Sequence, residues 1–111
     1  MYVFTAAQEQ FVEAAVGTKV ILPCKTDQNG SIVIWKHYPF GAILSNIVFL
    51  NGAVFEKYRG KVTVNTGSRV GEFNLTVLRV NLEDSGQYTC TTGKLSQSLE
   101  LIVLGKYGSI A

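Results

Sequence analysis

The sequence predicts an all-β chain folded as a two-layer sandwich. Three observations carry this. Apolar and polar residues alternate with period two along most of the chain, and no segment shows a helical period. Turn-forming residues cut the alternation into short runs, at Val16-Gly17-Thr18-Lys19, Pro39-Phe40-Gly41 and Asn51-Gly52. Two cysteines, Cys24 and Cys90, stand far apart, with the sole tryptophan, Trp35, soon after the first and Asp84-Ser85-Gly86-Gln87-Tyr88-Thr89-Cys90 running into the second. Composition agrees: 47% hydrophobic and 16% charged residues suit a packed core and argue against disorder. The 111 residues leave room for one domain, 1–111.

The strands follow in order. Val20, Leu22 and Cys24 alternate inward on one strand. Val33 and Trp35 point inward on the next, which leaves Ile34, Lys36 and Tyr38 on the opposite face. Asn51-Gly52 is the strongest hairpin signal, between Ile47–Leu50 and Ala53–Phe55. Val62 and Val64 mark a further strand; Phe73, Leu75, Val77 and Val80 mark another and its exit. Tyr88 and Cys90 carry the penultimate strand, and Leu99, Leu101 and Val103 the last.

The ordered set of Cys24, Trp35 and Asp84-x-Gly86-x-Tyr88-x-Cys90 resembles an immunoglobulin superfamily variable-type (V-set) domain over essentially the whole chain. The resemblance implies one antiparallel sheet of strands A, B, E and D and another of G, F, C, C′ and C″. It implies that Cys24 on strand B and Cys90 on strand F bridge the sheets, with Trp35 packed on the bridge and Tyr88 forming a tyrosine corner. Such a bridge stabilises by roughly 4 kcal/mol in the chain-entropy model. In variable domains a cation at the start of strand D faces the Asp84 position; Lys61 is favoured here over Arg59. The stretch between Trp35 and strand D has room for C′ and C″, which marks the variable type.

Two families are similar in detail. In the membrane-distal domain of the MHC class II-binding helper T-cell co-receptor, strand F is followed by a similarly short turn and an apolar strand ending in Gly, as in Leu99–Gly105. Its exposed Phe-Leu before a Gly turn is similar to Phe49-Leu50-Asn51-Gly52. That likeness implies an exposed, ligand-contacting Phe49, against the alternative of a core Phe49 that alternation favours slightly. The second family is the butyrophilin and co-stimulatory-ligand group with myelin-protein-zero-like adhesion domains. Tyr58-Arg59-Gly60-Lys61-Val62 and Asn74-Leu75-Thr76-Val77-Leu78-Arg79-Val80 look like its D and E strands. The segment after Cys90 lacks the joining pattern of a rearranging antigen receptor.

The function expected from these likenesses is recognition of another cell-surface protein, MHC-like or of the immunoglobulin superfamily, through the G-F-C-C′-C″ face. Ile34, Lys36, Tyr38, Phe49, Gln87, Thr89 and Glu100 are its candidate contacts. Homophilic adhesion through the same face is the alternative. A net charge of +2 with scattered bases does not suggest nucleic acid or an anionic membrane as main partner. The one histidine, His37, has no neighbouring nucleophile and reads as a surface or sheet-edge residue. Metal and cofactor sites, small-molecule substrates and catalysis are not expected, since no ligand cluster or phosphate loop is present. The cysteine pair and the sequons at Asn29 and Asn74 fit an oxidising, extracellular setting. No run of about 20 apolar residues is present. The N-terminus lacks a signal-peptide pattern; the chain reads as a cut-out ectodomain, with a membrane anchor expected beyond Ala111.

Overall fold

A computed structural model describes residues 10–25, 32–65, 71–93 and 95–105. Nine strands occur among the described residues: β1 (Gln10–Ala15), β2 (Val20–Leu22), β3 (Val33–Pro39), β4 (Asn46–Leu50), β5 (Ala53–Val54), β6 (Val62–Val64), β7 (Leu75–Val77), β8 (Gly86–Thr92) and β9 (Leu95–Leu104). They form a six-stranded sheet ordered β1-β9-β8-β3-β4-β5 and a three-stranded sheet ordered β2-β7-β6. The order is that of the variable-type sandwich the resemblance implies, with strands B, C, C′, C″, D, E, F and G as β2 to β9.

The first strand departs from the expected arrangement. The described β1 does not lie beside β2; it runs parallel to β9, from the Gln10↔Leu99 pair to Ala15↔Leu104. Alternation fixes which residues of β1 face inward, and Val12 and Ala14 do pack on the core. Alternation is silent on which of two open sheet edges a strand joins. The chain crosses between the sheets at Gly17, whose φ of 91° favours glycine. Its N–H bonds the Val80 carbonyl, while Val16 still bonds Leu104.

Between the sheets lies the core. Cys24 and Cys90 are disulfide-bonded, with Cα atoms 6.3 Å apart, and Trp35 pairs across the ladder with Cys90. Trp35 is fully buried, so its indole N–H needs a partner; it donates to the Phe73 carbonyl at 2.8 Å. Leu22, Leu75, Val77, Val80, Leu101 and Val103 complete the apolar layer.

The Asn51-Gly52 turn joins Leu50 to Ala53 with both residues at positive φ, 45° and 93°, as a two-residue hairpin demands. One irregularity lies just before it. Trp35 pairs with Phe49, but Lys36 pairs with Ile47, so Val48 is an extra residue on β4. This bulge breaks the period of two. Val48 and Phe49 are consecutive and both buried, while Ile47 and Leu50 turn outward on either side.

Candidate functional site

Strict alternation on β3, β8 and β9 sorts their residues into two faces. Val33, Trp35 and His37 face the core from β3, and Tyr88, Cys90 and Thr92 do so from β8. The opposite face of the sheet is half-exposed. It carries Ile34, Lys36 and Tyr38 on β3, Gln87, Thr89 and Thr91 on β8, and Ser98, Glu100 and Ile102 on β9. Ladder pairing sets these in rows. Leu50, Ile34, Thr91 and Ser96 form one, and Ile47, Lys36, Thr89 and Ser98 the next. Tyr38, Gln87, Glu100 and Phe11 form a third. Thr89 and Ser98 hydroxyls sit 3.3 Å apart at the centre.

Six of the seven candidate contacts therefore share one surface: Ile34, Lys36, Tyr38, Gln87, Thr89 and Glu100. Phe49 does not. It is 3% exposed and packs in the core cluster, so the assignment of Phe49 as an exposed knob is corrected. The Val48 bulge brings it beside Trp35, where an aromatic ring gains most from burial. Leu50 takes the outward place instead.

Several residues of this surface escaped sequence reasoning. Leu50 and Ile47 come to it together because of the bulge, which no local signal announces. Phe11 and Ile102 were findable by alternation, but only once β1 is known to flank β9. At the Tyr38 end, the turn 40–45 exposes Phe40, Ile43 and Leu44, with Ile43 at 94% and Leu44 at 78%. An apolar run in a turn is a signal the sequence does hold.

The E–F corner behind the face positions β8. Tyr88 donates its hydroxyl to the Asp84 carbonyl at 2.6 Å. Asp84 is buried, and one carboxylate oxygen accepts from the Asn81 N–H at 2.7 Å. The other lies 3.6 Å from Lys61 Nζ, which also faces Glu83 at 3.6 Å. Lys61 thus fills the cation's place, while Arg59 donates to the Val54 carbonyl. Gly86 has φ of 139°, and a Cβ there would strike the Tyr38 carbonyl oxygen and come within 2.9 Å of Pro39 Cα. β3 and β8 approach that closely only because residue 86 has no side chain.

His37 is not at the surface; it is 2% exposed, and its ring stacks on Tyr88 with centroids 4.2 Å apart. It shares the parity of Trp35, and burial is met with hydrogen bonds. Nε2 lies 3.1 Å from the Ser85 carbonyl, which can only accept. Nε2 therefore carries the proton, and Nδ1 accepts from the Tyr58 hydroxyl at 3.1 Å. Desolvation holds the His37 pKa below the usual value. Burial likewise raises the pKa of the Tyr58 and Tyr88 hydroxyls, so both remain donors.

Of the sequons, Asn29 lies outside the described residues. Asn74, the other sequon residue, does not stand clear in solvent. Its side chain is half-buried, and its carbonyl oxygen accepts from the Cys24 N–H at 3.0 Å. The β2–β7 ladder ends at Leu22↔Leu75, and Asn74 serves the next free donor.

This geometry meets its counterpart among known proteins. The family model described as the immunoglobulin V-set domain matches residues 7–104. The chain belongs to the immunoglobulin V-set domain family. Solved structures share the fold. The first immunoglobulin domain of the mouse polymeric immunoglobulin receptor is 20% identical at a TM-score of 0.71, over 87% of this chain and 91% of that one. The second domain of the same receptor is 17% identical at a TM-score of 0.72, over 87% and 97%. The extracellular domain of the voltage-gated sodium channel beta4 subunit is 17% identical at 0.68, over 96% and 93%. That subunit is described as forming parallel homodimers that explain its role in cell–cell adhesion. V-set domains are typically extracellular and generally non-enzymatic. No helix among the described residues is long and apolar enough to cross a membrane.

Proposed function

We propose that this V-set domain is the recognition module of a cell-surface protein, and that it binds another cell-surface protein through the outer face of β9, β8, β3 and β4. One observation carries the reading. Ile34, Ile47 and Leu50 adjoin Lys36 and Tyr38 on a sheet face that no described element covers. A contiguous apolar area on an open sheet tends to mark an interface. Aromatic and apolar centres with a polar surround are the usual anatomy of such contacts. The buried Phe49 withdraws the main support for a ligand shared with the MHC class II-binding co-receptor.

Multimers of the domain, applied to a panel of cell lines, test this. Lys36→Glu and Gln87→Arg are expected to reduce staining at least about tenfold, the range of central interface residues. Thr63→Arg, on the opposite sheet, should leave it intact. Staining lost with Thr63→Arg and kept with the other two would place recognition on the wrong sheet for this proposal.

A further inference from the structure

The outer face carries a pattern that matches itself. Its central charges are one base and one acid, on either side of β8. Lys36 on β3 lies level with Thr89, and Glu100 on β9 lies level with Gln87. Both are half-exposed, and among the described residues neither has an ion-pair partner within the chain. Each also stands among apolar side chains. Lys36 has Ile34 on its own strand, with Ile47 and Leu50 across on β4. Glu100 has Phe11 directly opposite on β1, 62% exposed, and Ile102 on its own strand. A basic, apolar corner thus faces an acidic, apolar corner diagonally across β8, with β3 and β9 about 10 Å apart at ordinary strand spacing.

We propose that this face pairs with the same face of a second copy of the chain. The proposal rests on the outer face being the recognition surface, and names its partner. In a two-fold contact, residue i meets residue j and j meets i. An axis lying in the plane of the face, crossing β8 between Gln87 and Thr89, sets Lys36 of each copy against Glu100 of the other. The same rotation lays Ile34, Ile47 and Leu50 over Phe11 and Ile102 of the other copy. The axis runs obliquely toward the turn 40–45, so the exposed Ile43 and Leu44 of the two copies meet near it. Ion pairs form twice, the apolar residues of the two corners cover one another with Glu13 of β1, level with Ile102, at the rim, and no charge at the centre is covered alone. A face bearing only bases or only acids would repel its own copy.

Sedimentation equilibrium and native mass spectrometry test the pairing. The native domain should dimerise with rising concentration. Lys36→Glu alone and Glu100→Lys alone should each weaken self-association at least about tenfold by setting like charges together. An equimolar mixture of those two variants should form a dimer containing one of each. The double variant, with both changes in one chain, should self-associate like the native protein, which also shows that the single variants did not fail by misfolding. A native domain that stays monomeric at millimolar concentration overturns the pairing, as does a mixture that forms no mixed dimer. If that monomer still binds cells and loses binding with Lys36→Glu, the face is right and the partner is a different protein. If neither variant affects association or cell binding, both readings fall.

Discussion

The E–F corner and the β4 strand lie on neighbouring parts of one sandwich, yet they were unequally legible. At the corner, each residue does something few others can. Asp84 caps a turn and meets Lys61, Gly86 leaves room for the Tyr38 carbonyl, and Tyr88 reaches back to Asp84. Identity there declares position. On β4, by contrast, Ile47, Val48, Phe49 and Leu50 are all apolar, and any of them could face the core. Their sorting depends on one extra residue opposite the Trp35–Lys36 step. A bulge has no residue signature when its neighbours are chemically alike, so alternation and analogy could not decide the side for Phe49. Specific chemistry is read from a sequence; register among similar residues is not.

The largest test of this contrast is Phe49→Ala. A buried aromatic beside Trp35 should cost roughly 3–5 kcal/mol when truncated, read by denaturant unfolding. A nearly unchanged midpoint would return Phe49 to the surface and remove the bulge from the account. Leu50→Ala, on the outward side of the same strand, should cost far less, and the pair of values measures the sorting directly.

At the corner, Gly86→Ala should cost roughly 3 kcal/mol, from positive-φ strain and the clash with β3 backbone. Thermal unfolding checks it. A loss no larger than that of an ordinary surface substitution would mean β3 and β8 can part there without consequence, and the corner's rigidity would be overstated.

The smallest effect belongs to His37, which joins the two regions by pairing with Asn46 on β4 and touching Ser85 and Tyr88 at the corner. Its folded pKa lies below the usual value of about 6.5. The unfolded chain therefore binds the proton more readily. His37's contribution is complete above about pH 6.5 and is lost as pH falls below it toward the folded value. Asp84 nearby favours the charged ring, while Lys57 and Lys61 oppose it. Unfolding free energies from pH 7.5 to 5 should decline more for the native chain than for His37→Gln. Equal slopes would show that the buried ring is protonated without penalty.

Much of the sandwich was readable for the reason the corner was. Cys24, Trp35 and Cys90 have jobs no other residue performs. The outer face followed from them, because once Trp35 is inside, Ile34, Lys36 and Tyr38 must be outside, and their ladder partners with them. His37 shows the same rule defeating a prejudice: parity placed it inside and polarity argued otherwise, and two hydrogen bonds made parity the winner. Which sheet β1 joins stayed hidden because both edges accept the same alternating strand. Phe11 therefore could not be assigned to the recognition face in advance.

The claim that the outer face of this domain binds a second copy can be tested most directly by an NMR dilution series on the native protein. Amide shifts should move with concentration at Ile34–Tyr38 on β3, Gln87–Thr91 on β8 and Ser98–Ile102 on β9. Those of β2, β7 and β6 should stay fixed. Movement confined to Ile21, Thr63 and Thr76 on the opposite sheet would contradict the account.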